Sequence, residues 1–131
     1  NTSILISKVI YIKKSNNKNF IILDAGMNDL MRPALYDAHH KIIPLKKNNK
    51  RITGNIEFVG PICESSDKFL NQKGFSKIKE GDYIAITDVG AYGMSLSSNY
   101  NTRPIISEIL VSGSKHKLIK KRQSLENLIN N

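Results

Sequence analysis

The chain has 131 residues, a formal net charge of +9 and one cysteine. That length forms one ordinary domain able to bury its own core, and the single cysteine excludes an internal disulfide framework. No apolar run approaches the ~20 residues of a bilayer span and no secretory leader pattern is present, so the chain reads as soluble and cytoplasmic.

The positive charge is a weak signal for nucleic acid. Lysine outnumbers arginine 16 to 4, and Asn, Ile and Lys make up 49 of the 131 residues, which has the look of a coding bias. Base and phosphate recognition lean on arginine forks and stacked aromatics, which are few here. The first residue is not methionine and a strand follows within a few positions, so the sequence is expected to be a piece of a longer polypeptide.

In chain order, SILISKVIYI (3–12) is rich in Ile and Val with Lys8 as its only charge, and predicts a strand with at least one buried face. The polar stretch 13–19 turns the chain, and FIILD (20–24) returns it as the second arm of a hairpin. At Ala25-Gly26 the pattern changes. Asn28 or Asp29 is expected to cap a helical turn through LMRPALY, with Pro33 in its first turn. Arg32 and Tyr36 then stand at i and i+4 on one face, where they can reach the same ligand. KIIPL (41–45) predicts a short edge strand, because proline cannot donate into a ladder, and KKNNKR (46–51) a solvated turn.

Residues 55–60 form the strand that leads into GPICESSD (60–67). The Gly60-Pro61 breaker ends that strand and delivers Cys63 and Glu64 to a sheet end, where side chains can face a cavity. DKFLNQKGF is expected to be a short irregular or helical excursion ending at Gly74. GDYIAITDVG (81–90) holds another strand, and AYGMSLSSNYNTRP has too much Ser, Asn and Gly for a regular element. Connections of ~14 residues are usually functional or disordered. Residues 105–112 and HKLIKK form a hairpin about Gly113. RQSLENLIN (122–130) predicts a short amphipathic helix with Ser124 near its start. Seven or eight short strands without long helices between them predict an all-β fold, an antiparallel barrel or sandwich with a short C-terminal helix.

A lone cysteine is more often a small buried hydrophobe than a reactive group. Its place after Gly-Pro and beside a carboxylate favours function for Cys63, and the neighbouring negative charge suits a proton donor better than a nucleophile. His39, His40 and His116 show no metal-ligand spacing, and VGAYG lacks the spacing of dinucleotide or phosphate-loop glycines. Singly, Arg32 reads as a surface cation, and Tyr36 and Tyr92 as rim aromatics. Together with Glu64 they change meaning: an arginine fork matches a carboxylate and a glutamate matches an ammonium, so the set complements the zwitterionic end of an amino acid.

Three stretches, DAGMNDLMRPALYDAHH (24–40), GPICESSD (60–67) and GAYGMSLSSNYNTRPIISEILV (90–111), together resemble the C-terminal β domain of the diaminopimelate decarboxylases, pyridoxal 5'-phosphate enzymes of the alanine-racemase-like type that make L-lysine. The resemblance runs from about Phe20 to the terminal helix in the same order. Ornithine and arginine decarboxylases share the Gly-Pro-x-Cys theme but lack MRPALY.

The resemblance implies that residues 1–131 are a single C-terminal domain, without the (β/α)8 barrel that carries the Schiff-base lysine. It implies a head-to-tail homodimer with shared active sites and meso-diaminopimelate as substrate. Arg32 and Tyr36 match positions that bind the substrate's distal carboxylate, and Glu64 the one that takes its distal amino group. Tyr92 matches a contact to cofactor phosphate and substrate. Cys63 matches the cysteine, supplied by the partner subunit, that protonates the substrate carbon after CO2 departs. The isolated chain is therefore expected to be inactive and not to hold the cofactor covalently. Two other readings stand beside this one. The first is a decarboxylase of another basic amino acid. The second is a stand-alone basic barrel binding nucleic acid through Lys46, Lys47, Lys50 and Arg51.

Overall fold

The computed structural model describes residues 3–16 and 18–130. Asn17, within the expected 13–19 turn, lies outside them. Six strands form a nearly closed, barrel-like sheet in the order β3-β6-β1-β2-β4-β5. They are β1 (Ile4–Lys14), β2 (Asn19–Leu23), β3 (Ile42–Pro44), β4 (Arg51–Val59), β5 (Lys68–Ser76) and β6 (Tyr83–Thr87). A separate ribbon pairs β7 (Glu108–Ser112) with β8 (Lys115–Lys120). Among the described residues there are also three short α-helices, α1 (Arg32–Tyr36), α2 (Gly90–Met94) and α3 (Leu125–Ile129).

The first strand is long enough to serve two neighbours. Its residues Ile4–Lys8 pair antiparallel with β6 and its second half with β2, and the register slips between Val9 and Tyr11. Such a slip bends and twists a strand, which curls the sheet toward closure. Val9, Ile21, Leu23, Ile56, Phe58, Ile84 and Ile86 point inward and are fully buried. Phe58 and Phe75 meet edge to face with centroids 4.9 Å apart, a favoured aromatic geometry.

The expected hairpin, the proline edge strand and the Ser124-capped terminal helix are all present; Ser124 accepts the Asn127 N–H at 3.1 Å. Four expectations are corrected. The sheet is not wholly antiparallel, because β2 and β4 run parallel with Asn19 opposite Ile56. Parallel neighbours need a crossover connection, and here that crossover carries residues 24–40. DKFLNQKGF is strand rather than excursion: it pairs along β4 and buries Phe69, Leu70 and Phe75. Gly74 does not end it. With φ +69, opposite the irregular pairing near Gly54 (φ +82), it lets both strands bend.

The segment after Gly90 is also more ordered than its composition indicates, forming α2 and a tight turn at Tyr100–Thr102. Finally, neither Asn28 nor Asp29 caps α1. The cap position is Met31, which makes no capping bond, and Pro33 does fall in the first turn. Asn28 and Asp29 are instead buried and engaged elsewhere.

Candidate active site

GPICESSD is a loop tied to its own last residue. Asp67 is 2% exposed. Its carboxylate accepts the Met27 N–H at 2.7 Å and the Ile62 N–H at 2.8 Å, while its carbonyl accepts the Gly60 N–H at 3.0 Å. A Cβ on residue 60 would lie 2.2 Å from a carboxylate oxygen, so glycine there is demanded by close approach. Burial pushes the Asp67 carboxyl above its ordinary range, against the pull of the two N–H donors. With the loop pinned from beneath, Cys63 and Glu64 are left at the surface.

A second anchor was not anticipated. Arg103 donates to Asn28 Oδ1 at 2.8 Å and to the Asp24 carbonyl, and lies 3.5 Å from the Asp29 carboxylate. Asn28 in turn donates to the Ser98 carbonyl at 3.3 Å and accepts the Ser98 N–H on its own carbonyl at 2.9 Å. One buried cluster therefore stitches residues 24–29 to 98–103. The legible signal was an arginine in a chain poor in arginine, placed before Pro104 in an otherwise polar stretch.

The three segments meet in pairs. The first and second join through Met27 and Asp67. The first and third also join at the surface, where the Arg32 guanidinium lies 5.7 Å from the Tyr92 ring centroid, within cation–π range. The second and third join through Tyr100, whose hydroxyl donates to Glu64 Oε1 at 2.7 Å. Tyr100 was another residue that sequence reasoning passed over. Tyr36 and Tyr92 are 63% and 64% exposed, so all four of Cys63, Glu64, Tyr36 and Tyr92 face outward.

Among the described residues, no hydrogen bond or ion pair joins Arg32 to Glu64. The arrangement is an open face, and a shallow cleft between α1 and β5, lined by Pro33, Asp37, His39, Ser66 and Lys68, takes in none of the five predicted residues. Among the described residues there is no group of three or more His, Cys, Asp or Glu suited to a metal. His40 is buried, and its Nδ1 must donate to the Thr87 carbonyl 3.0 Å away, since a carbonyl only accepts. No helix among the described residues is long and apolar enough to cross a membrane.

Residues 1–90 match the family described as pyridoxal-dependent decarboxylase, C-terminal sheet domain. The chain belongs to this family. It is 47% identical over 129 residues to the diaminopimelate decarboxylase of Zymomonas mobilis, covering 98% of this chain and 30% of that protein. The Haemophilus influenzae diaminopimelate decarboxylase is 46% identical over 98% of the chain and 31% of its own length. The chain thus spans about 30% of the length of the curated relatives it matches.

Among solved structures, diaminopimelate decarboxylase from M. jannaschii in complex with L-lysine superposes with a TM-score of 0.90 at 41% identity, over 96% of this chain and 29% of that one. The Helicobacter pylori enzyme, also with L-lysine, gives 0.88 at 46% identity over 97% and 31%. A lysine decarboxylase from Selenomonas ruminantium, at 24% identity and a TM-score of 0.66, shares the fold.

Proposed function

We propose that the chain is the substrate-recognition domain of a diaminopimelate decarboxylase, which as a complete enzyme converts meso-2,6-diaminopimelate to L-lysine and CO2. The observation that carries this reading is the 47% identical match of 98% of this chain to 30% of a relative of that name, together with the meeting of the three segments on one framework. In this reading Arg32 pairs with the distal carboxylate, Tyr36 donates to it, and Glu64 takes the distal ammonium. A buried charge left unmatched costs several kcal/mol, so a site that offers both signs selects a substrate carrying an amino acid at each end.

The exposed Tyr92 phenol beside the Arg32 guanidinium is a donor of the kind that a phosphate accepts, which fits one end of pyridoxal 5'-phosphate. Bound, that cofactor supplies the electron sink for loss of the carboxylate. The Schiff-base lysine belongs to the barrel, which precedes this domain in the complete polypeptide. Cys63, at the surface, delivers a proton to the carbon that loses its carboxylate in a partner subunit's site. Homodimerisation has support in the aliphatic side chains left open on β7 and β8, namely Ile109, Leu110, Val111, Leu118 and Ile119, since exposed apolar patches commonly mark interaction surfaces.

The test is steady-state decarboxylation by the full-length protein on meso-diaminopimelate, ornithine and arginine. Preference for diaminopimelate is expected, and Glu64→Gln should raise its KM by roughly 10- to 100-fold through loss of a charge-assisted bond of ~1.5–3 kcal/mol. A clear preference for ornithine would overturn the reading.

A further inference from the structure

We propose that Tyr100 is a positioning residue for Glu64, holding one carboxylate oxygen so that the other faces the distal ammonium of the substrate. The proposal rests on the reading of Glu64 given above. An exposed glutamate on a loop is free to rotate about three side-chain bonds, and ordering it on binding costs entropy. The Tyr100 hydroxyl removes that freedom by donating to Oε1 at 2.7 Å. Oε2 carries no other described partner and remains available as an acceptor.

The backbone under Tyr100 is shaped for this contact. Asn101 and Thr102 both adopt φ of +56°, a left-handed conformation that a β-branched residue such as Thr rarely takes. Strain of that kind persists only where the surroundings over-determine it, and it concentrates at functional positions. The surroundings do so here. Ser98 Oγ accepts the Tyr100 N–H at 3.3 Å, and Asn99 donates to the Arg103 carbonyl at 2.8 Å and to Gln123 at 2.6 Å. The Arg103 side chain is itself locked onto Asn28. The bond to Glu64 also raises the phenol above its ordinary titration range, and a phenol in any case stays a donor at neutral pH.

The experiment is a double-mutant cycle in the full-length enzyme, with Tyr100→Phe, Glu64→Gln and the double variant assayed on meso-diaminopimelate. Tyr100→Phe keeps the ring and removes one oxygen. It should raise KM by about 3- to 10-fold, the worth of an ordinary hydrogen bond, with kcat within about twofold of wild type. In the Glu64→Gln background the same change should add less than about twofold, because coupled residues are not additive. A merely structural tyrosine would not show that coupling. If Glu64→Gln raises KM and Tyr100→Phe does not, or raises it equally in both backgrounds, the role assigned to Tyr100 falls alone. If Glu64→Gln leaves KM unchanged, both the ammonium-binding reading and this one fall together.

Discussion

Gly60→Ala is the sharpest probe of how the cysteine loop is held. Gly60 is not among the residues with positive φ, so its backbone would accept a side chain, and the nearest obstacle is the Asp67 carboxylate, 2.2 Å from the would-be Cβ. Asp67 cannot step aside without giving up its bonds from Met27 and Ile62. Hydrogen bonds to a charged group are worth ~1.5–3 kcal/mol each, so losing both costs about 3–6 kcal/mol. Against a total stability of ~5–15 kcal/mol this is a large fraction. With a urea slope of roughly 1–3 kcal/mol per M, the unfolding midpoint should fall by about 2 M. The assay is urea unfolding followed by far-ultraviolet circular dichroism. Its control is the same substitution in an Asp67→Ala background, where the obstacle is gone and a compatible Gly→Ala change should be neutral or stabilising by about 0.4–1 kcal/mol. An equal loss in both backgrounds would refute the reasoning, since the cost would then lie in the backbone at residue 60.

Asp67→Asn offers an amide N–H2 where one of two N–H donors needs an acceptor, and should cost about 1.5–3 kcal/mol by the same unfolding measurement. Because the Asp67 carboxyl is raised above its ordinary value of 3.8, its titration stabilises the fold fully below that value and progressively less as pH rises through the raised one. The advantage of wild type over Asp67→Asn should therefore widen as pH is lowered from about 7 toward about 4, and a narrowing gap would contradict the sign. Arg103→Lys keeps the charge but cannot serve Asn28 Oδ1 and the Asp24 carbonyl with one fork, so a loss of about 1.5–3 kcal/mol is expected, read as a shift in urea midpoint.

Much of the sheet was legible because alternation and β-branched content report a half-buried strand directly, as in Ile4–Lys14 and Tyr83–Thr87. The Lys68–Ser76 strand was hidden for a physical reason. Its outward positions are Asn71 and Lys73 and it carries Gly74, a composition that reads as loop until the partner strand supplies the pairing. The parallel pairing of β2 with β4 was equally out of reach, since it depends on a crossover whose path no local pattern records. At the site, Arg32 and Tyr92 were read as members of one set with Tyr36 and Glu64, and these two do lie together. Arg103 and Tyr100 make bonds to residues 36 to 79 positions away and Asp67 bonds Met27, 40 positions away, as well as its own loop, and such long-range partners leave little local trace.

The choice of polar residues beneath the face that carries Cys63, Glu64 and Tyr92 follows from what that face is made of. Cys63 and Glu64 sit on an irregular loop and Tyr92 on a single helical turn, and such segments carry N–H and C=O groups that no ladder satisfies. Buried backbone groups must nonetheless find partners. Aliphatic packing under these loops would leave the N–H groups of Met27 and Ile62 unpaired, whereas Asp67 takes both, and Asn28 with Arg103 answers the carbonyls of Asp24 and Ser98. Burying Asp67, Asn28 and Asp29 in this way costs desolvation that an apolar core avoids. In return each of the three segments is fixed to the other two within this one domain. Removing any one of these buried polar groups should therefore loosen the segments that carry Cys63, Glu64 and Tyr92, read as a fall in urea midpoint.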